Sequence, residues 1–414
     1  MKRISFKANI LSFIFIVSLF GLNNAFSQWY YSFSLDGEYN SNPFRLPEPE
    51  ADQTSQIAFG IQRDWSKVSA QYYGSLTNFN QNAERNFYWQ QFFIGGGEKT
   101  SWNLSIDNRI NRQEYNVYDY SNARGGVTQQ VSFGKFLGRL AAGATINYFP
   151  QFSDLNNVLL NGTLSLNRSF QTKTTFIGAL GLNYKTYLNQ NPVVASVTDT
   201  AADISASIRT VDVLGNGPGG PGGGTGGGGM GGAMESGAYA TYYADDSGSP
   251  SVAQFLLSLR MAQSVTKYTG IALQYYNRIN LTNQDRGVVG LLYGYSEESQ
   301  IFDDPMGYEG QTFGAELTQL FPYQISLKSS FYRQQKNYVS QGIYSDPESY
   351  DDTVLRQDTR QSVWVSLQKQ WGVNFLGGVS KTWQVNYQRI DNQSNSYWYN
   401  YNNHYASSGL QFDF

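Results

Sequence analysis

The feature that most constrains this chain is a two-residue alternation of apolar and polar side chains that returns in segment after segment. Leu160, Gly162, Leu164 and Leu166 interleave with Asn161, Thr163, Ser165 and Asn167, and Tyr323, Ile325, Leu327 and Phe331 interleave with Gln324, Ser326, Lys328 and Ser330. Leu104 and Ile106 alternate with Asn103, Ser105 and Asp107; Ile271, Leu273 and Tyr275 with Gln274, Tyr276 and Arg278; and Trp383, Val385 and Tyr387 with Gln384, Asn386 and Gln388. Successive side chains of a strand point to opposite faces, so each segment reads as a strand with one greasy and one wet face.

The pattern predicts strands over 29–40, 53–63, 66–78, 86–97, 100–110, 126–137, 139–149, 158–168, 172–186, 251–264, 267–279, 311–321, 323–334, 357–370, 380–391 and 404–414. That is about sixteen, an even number of the kind bacterial membrane barrels use. Val288 to Tyr295 is apolar enough for another strand and is assigned to an excursion outside the barrel. With a further piece near Ala238 to Tyr243 the count would instead be about eighteen.

Connections alternate in length. Asp64-Trp65-Ser66, Gly97 to Lys99, Leu137-Gly138, Ser169 to Gln171 and Phe321-Pro322 are short; 41–52, 111–125, 187–250, 280–310 and 335–356 are long. In an up-and-down membrane barrel, short turns face the periplasm and long loops the outside. The Gly-rich segment 215–237 within the 187–250 connection reads as a flexible loop. It has no Lys and no following helical pattern, so it is not a phosphate loop.

The two ends fit the same picture. Lys2, Arg3 and Lys7 precede an apolar run from Ile10 to Leu22, then small residues at Ala25 and Ser27, which predicts a signal peptide over 1–27 and a single barrel over 28–414. The final residues alternate Leu410, Phe412 and Phe414 against Gly409, Gln411 and Asp413. A closing amphipathic strand ending on an aromatic resembles the signal by which barrel-assembly machinery recognises its clients.

Composition enters where a barrel and a soluble domain differ. Charged residues are 15% of the chain, against about a quarter in soluble domains, while 31 Tyr and 26 Phe are present. A membrane barrel needs aromatic girdles and an apolar band. The net charge of -3 argues against nucleic acid as a partner, and the absence of cysteine excludes disulfides and thiolate metal sites.

Candidate chemistry is sparse. His404 is the one histidine, too few for a His-rich metal site, and no nucleophile or carboxylate partner for it is apparent. Asp245-Asp246, Asp303-Asp304 with Glu309, and Asp351-Asp352 fall in predicted loops without the spacing of a calcium loop, so no metal, cofactor or catalytic residue is assigned. The charges assigned to the lumen by their phase within each strand are Asp36, Glu38, Arg63, Asp107, Arg109, Arg260, Arg278 and Lys328, and inward placement is favoured because a basic group facing lipid at mid-depth costs about 2–4 kcal/mol.

A family resemblance rests on short motifs spread over the mature chain: Asp36 to Arg45, Phe302-Asp303-Asp304-Pro305 with Tyr308-Glu309-Gly310, and Asn392 to Phe414. These look like bacterial outer-membrane barrels associated with exopolysaccharide or surface-protein export. The resemblance implies an integral outer-membrane barrel with a role in transport. About sixteen strands enclose a lumen wide enough for solutes, so a passive or gated pore is the leading expectation. The alternative is a surface binding or scaffold barrel. Its Tyr-rich loops, such as Tyr115 to Tyr120 and Tyr397 to Tyr405, would engage a polysaccharide or protein partner through aromatic faces.

Overall fold

The structure is a computed structural model that describes residues 28–151, 153–189, 240–243, 251–282, 286–289, 304–347, 349–371 and 379–414. The export signal, the Gly-rich segment 215–237, the Asp245-Asp246 pair, Asp303 and Gly290 to Tyr295 lie outside them.

Sixteen strands close into one antiparallel barrel. They are β1 (Gln28–Asn40), β2 (Asp52–Asp64), β3 (Val68–Phe79), β4 (Phe87–Gly97), β5 (Thr100–Asn111), β6 (Tyr120–Phe133), β7 (Phe136–Tyr148), β8 (Asn157–Ser169), β9 (Thr174–Tyr187), β11 (Ser251–Ser264), β12 (Thr269–Asn280), β14 (Tyr308–Phe321), β15 (Ile325–Tyr344), β16 (Tyr350–Trp371), β17 (Ser380–Ser394) and β18 (Tyr401–Asp413). Each pairs with its neighbour in the chain, and β1 pairs with β18 to close the ring. β10 (Ala240–Tyr243) and β13 (Arg286–Val289) pair only with each other, in a separate two-stranded sheet. Both extra segments thus contain strand, yet neither enters the barrel.

Several boundaries differ from the sequence reading, and β6 begins at Tyr120, inside the expected 111–125 loop. The β6–β7 turn falls at Gly134-Lys135, with Phe133 opposite Phe136, and not at Leu137-Gly138. Gly134 sits at φ 58°, a left-handed conformation that glycine adopts without a Cβ clash and that tight hairpins require. The expected 335–356 loop is mostly strand: β15 and β16 run on, paired as far as Tyr344 opposite Tyr350. Tyr323 likewise belongs to a turn, at φ 63°, and not to the alternating face.

Because paired residues of an antiparallel ladder share a face, the register assigns sides around the whole ring. Leu140, Leu164 and Leu180 stand in one row. All three are exposed on the outer wall, together with Ile57, Leu104, Leu273 and Phe313. The row beside them, Arg139, Ser165 and Ala179, points inward. An apolar surface of this extent is unstable in water and stable in hydrocarbon, where the closed ladder also leaves no edge unpaired. This is a membrane-spanning barrel. Among the described residues no helix is long and apolar enough to cross a membrane.

The assignment makes a direct expectation. Leu164→Arg should weaken folding into lipid vesicles by about 2–4 kcal/mol if it lies near mid-depth, whereas Ser165→Arg should be close to neutral. Urea titration of folding in vesicles measures both. Equal losses would mean that the faces are assigned wrongly.

Candidate functional site

The inner wall is polar and charged, and the residues that β-strand phase brings there form small ion-paired networks. Asp36 and Glu38 lie on the inner face of β1, where Glu38 Oε1 accepts a hydrogen bond from Asn40 Nδ2 at 3.1 Å. Asp36 faces Gly409, and a Cβ at that glycine would fall 1.8 Å from its carboxylate oxygen. The missing side chain is what gives Asp36 its room.

On β5, Asp107 is buried, accepts a hydrogen bond from Asn122 Nδ2 at 3.3 Å and lies 3.6 Å from Arg124. Arg109, on the same inner face, donates through Nε to Asn111 at 3.2 Å, and its guanidinium sits 3.9 Å over the Phe87 ring. Across the ring, Arg260 donates to Glu316 at 2.7 Å, and Glu316 also accepts from Tyr332 at 2.6 Å and from Gln274. Arg278 lies 5.4 Å over Tyr308, and Lys328 sits in an inward row between Thr318 and Ser366.

Arg63 is placed differently from the expectation. It pairs with Trp29, on the outward face, with its guanidinium between Trp29 at 4.8 Å and Trp65 at 5.1 Å. A basic group beside a short turn is near the membrane surface, where facing outward costs only about 0–1 kcal/mol, and the two indoles cover it. The sequence reading also passed over Arg124, Arg139 and Glu316. The alternation around Ala315 and Leu317 already carried the signal for Glu316.

Both signs of charge recur around the ring, with Asp107 beside Arg124 and Glu316 beside Arg260. From β1 it is four steps to β5 and six to β7 in one direction, and four to β15 and six to β12 in the other. The acids of β1 are thus separated by four to six strands from Arg109, Arg124 and Arg139 on one side and from Lys328 and Arg278 on the other.

The end with the long connections is narrowed by segments that fold inward. Residues 41–46 turn into the barrel and bury Asn42, Pro43, Phe44 and Leu46. Phe44, Leu46, Phe79, Phe87 and Trp398 form one apolar cluster, against which Trp89 and Tyr344 pack. Trp89 is on β4 and Tyr344 on β15; the path β4, β3, β2, β1, β18, β17, β16, β15 is seven steps of sixteen, so the cluster ties together nearly opposite walls. A second segment is held against the wall by the buried Lys185–Asp304 ion pair, with Met306 packed on Tyr187 and Val252. Asp304 is thus half of an ion pair. Among the described residues no group of three or more His, Cys, Asp or Glu is placed to hold a metal. His404 lies on the outer face, its Nδ1 3.0 Å from the Tyr387 hydroxyl.

One loop carboxyl at the mouth is shifted. Burial pushes Asp119 up to about 6, against hydrogen bonds from the Asn111 backbone and side chain and the charge of Arg109, which pull it down. A carboxyl raised in the docked loop binds its proton more tightly docked than free, so this contribution favours docking at low pH and is lost as the pH rises through about 6. The chain has no cysteine, so a single spin label at Gln113→Cys reports the loop. Its mobility should rise between pH 5 and pH 7.5, and Asp119→Asn should flatten that dependence; an unchanged profile in the variant would assign the effect elsewhere.

No family model matches the chain, and no curated protein matches it. Solved structures do. A bacterial polysaccharide outer membrane secretin is 6% identical with a TM-score of 0.42, covering 93% of this chain and 98% of its own. OccAB1 of Acinetobacter baumannii is 6% identical with a TM-score of 0.49, covering 94% and 96%. OprB of Pseudomonas putida is 9% identical with a TM-score of 0.49, covering 94% of each. At such identities the architecture stands on the strand pairing itself.

Proposed function

We propose that this chain is an outer-membrane pore for the passage of small polar solutes, narrowed at its outer mouth by inward-folded loops. The observation that carries the reading is the ring of sixteen strands with an apolar outer wall and a charged inner wall. Rings of about eight strands fill with side chains, and about sixteen leave an aqueous interior. The charged groups of the inner wall would set up a local field along the passage, which orients dipolar solutes and tunes ion preference. The expected export signal and the closing strand ending on Phe414 are the features that would direct its assembly into the outer membrane, through the barrel-assembly machinery.

The scaffold alternative is less favoured by the loops themselves. Tyr118 and Trp398 are buried, and Tyr115 stacks on Tyr118 beside the Arg85 guanidinium, so these rings are spent inside the mouth and not displayed for a sugar or protein. Passage of a polymer would require the cross-lumen cluster to open. The test is conductance in planar bilayers, using protein whose gel mobility is shown to be heat-modifiable, followed by the reversal potential in a salt gradient. Discrete channels with an ion preference that changes in Arg124→Gln and Arg139→Gln support the reading. A folded barrel silent at every voltage overturns it.

A further inference from the structure

The short-turn rim of the barrel carries a set of outward-facing cations, each lodged against aromatic rings. Arg168 lies 5.0 Å from Phe136 and 4.6 Å from Phe170, Lys369 5.8 Å from Trp371, Lys381 5.3 Å from Trp371 and 5.6 Å from Phe412, and Lys267 4.7 Å from Tyr268. The pairing rows put Arg168, Lys369 and Lys381 on the outer wall, in line with Phe176, Ile325 and Phe412 respectively. They recur on β8, β16 and β17, with Lys267 in the β11–β12 turn, so they lie along one side of the ring, within the seven steps from β8 to β17.

Acids are scarce on the same surface. Near this end Asp64 and Asp413 share rows with inward residues, and Asp413 is engaged by Ser380 and Gln411. Glu98 is the remaining acid among the described short-turn residues, and it lies 4.0 Å from Lys67. The outer wall toward the long-loop end is mixed, since Arg389 and Asp391 both face outward there.

From this segregation we infer that the short-turn rim is a binding surface for the phosphate headgroups of anionic phospholipid. The inference rests on the membrane-spanning reading and not on the pore. A basic group whose stem lies along an aromatic ring keeps its head at the membrane surface, held at phosphate level while the ring sits at the hydrocarbon boundary. Among the described residues no carboxylate is paired with Arg168, Lys267, Lys369 or Lys381, and Lys369 donates to the Tyr323 carbonyl, so phosphate is the counter-charge these cations would take. A neutral headgroup carries the same phosphate with a compensating ammonium, so net-anionic lipid is the stronger ligand.

The experiment is lipid retention by native mass spectrometry after reconstitution in phosphatidylcholine vesicles containing a minority of phosphatidylglycerol. The wild-type barrel should retain phosphatidylglycerol above its share. The triple variant Arg168→Gln, Lys369→Gln, Lys381→Gln should lose at least about fivefold of that preference, since one basic group near an anionic surface is worth about that factor. Arg333→Gln with Arg389→Gln, at the other end of the outer wall, should leave it intact. Heat-modifiable gel mobility verifies folding, and the three single variants replace the triple if it does not assemble. Retention without headgroup preference in the wild type, or full preference in the triple variant, overturns the inference. Conductance is not part of the readout, so a silent barrel with intact lipid preference would sink the pore and leave this surface standing.

Discussion

Replacing Phe44 and Trp398 together by alanine is expected to raise single-channel conductance severalfold while the barrel remains folded. Phe44 stacks on Phe79 with ring centroids 5.8 Å apart, and the Arg85 guanidinium lies 3.9 Å over the Phe44 ring. Trp398 is buried in the same cluster and donates its indole N–H to the Pro347 carbonyl at 3.2 Å. Truncating a buried Phe or Trp to Ala costs about 3–5 kcal/mol, and here the two residues come from neighbouring connections, β1–β2 and β17–β18, and fill the cluster on which Trp89 and Tyr344 pack. What would remain of the inward turn is its polar anchor: Asn42 Nδ2 donates to the Leu46 carbonyl at 2.7 Å and to the Asn402 carbonyl at 3.0 Å. That anchor ties residues 41–46 to β18 on one side only. The cross-lumen contact is apolar, so its loss frees the two halves of the mouth without breaking a ladder hydrogen bond. Heat-modifiable mobility should be unchanged, and planar-bilayer recordings should show larger, noisier channels. Unchanged conductance in a folded double variant would mean that the cluster does not set the narrowest point.

The wall was legible in the sequence because lipid and water impose opposite demands on alternate residues wherever the strand lies in the bilayer. Leu104 against Asp107 and Leu164 against Ser165 are sorted as the alternation requires. Legibility failed where one of the two solvents was absent. Beyond Arg333, β15 carries polar residues on both faces, such as Gln335 opposite Thr359 outward and Lys336 opposite Asp358 inward. An outward face in water has no reason to be apolar, so a continuing ladder looked like a loop. The inward phase expected for Arg63 fails, because Arg63 shares its row with Trp29 and its phase with the outward Ile57, Phe59 and Ile61; the rim tolerates what mid-depth does not. The inward folding of 41–46 left no periodic trace, because its partners Phe79, Phe87 and Trp398 are remote in sequence and meet only once the ring has closed.

The other large effect concerns closure. Deleting Leu410 to Phe414 should abolish assembly in the membrane while the chain is still exported. In the ring these residues pair on one side with β1, as Leu35 opposite Leu410, Ser34 opposite Gln411, Phe33 opposite Phe412 and Ser32 opposite Asp413. On the other side they pair with β17, from Trp383 opposite Leu410 to Ser380 opposite Asp413. Phe414 adds a two-way backbone bridge to Tyr31, at 2.9 and 3.3 Å. Removing them exposes the facing N–H and C=O groups of both neighbours along the lower part of the wall, where Phe33, Leu35 and Trp383 face lipid. Each such group costs several kcal/mol in hydrocarbon, so a handful of them exceeds the whole stability of about 5–15 kcal/mol typical of a folded domain. No rearrangement of β1 against β17 restores the ring at the same size, because the remaining strands would then number fifteen, and two neighbours of the same direction would have to pair in parallel. The truncated chain should therefore appear as a protease-sensitive species outside the membrane fraction and show no heat-modifiable band. Phe412→Asp provides a milder version that keeps every backbone pair and should assemble slowly or incompletely. If the truncated chain still fractionates with outer membranes as a protease-resistant, heat-modifiable barrel, then closure between β1 and β18 does not require these residues, and the pairing that defines the ring is wrong at its seam.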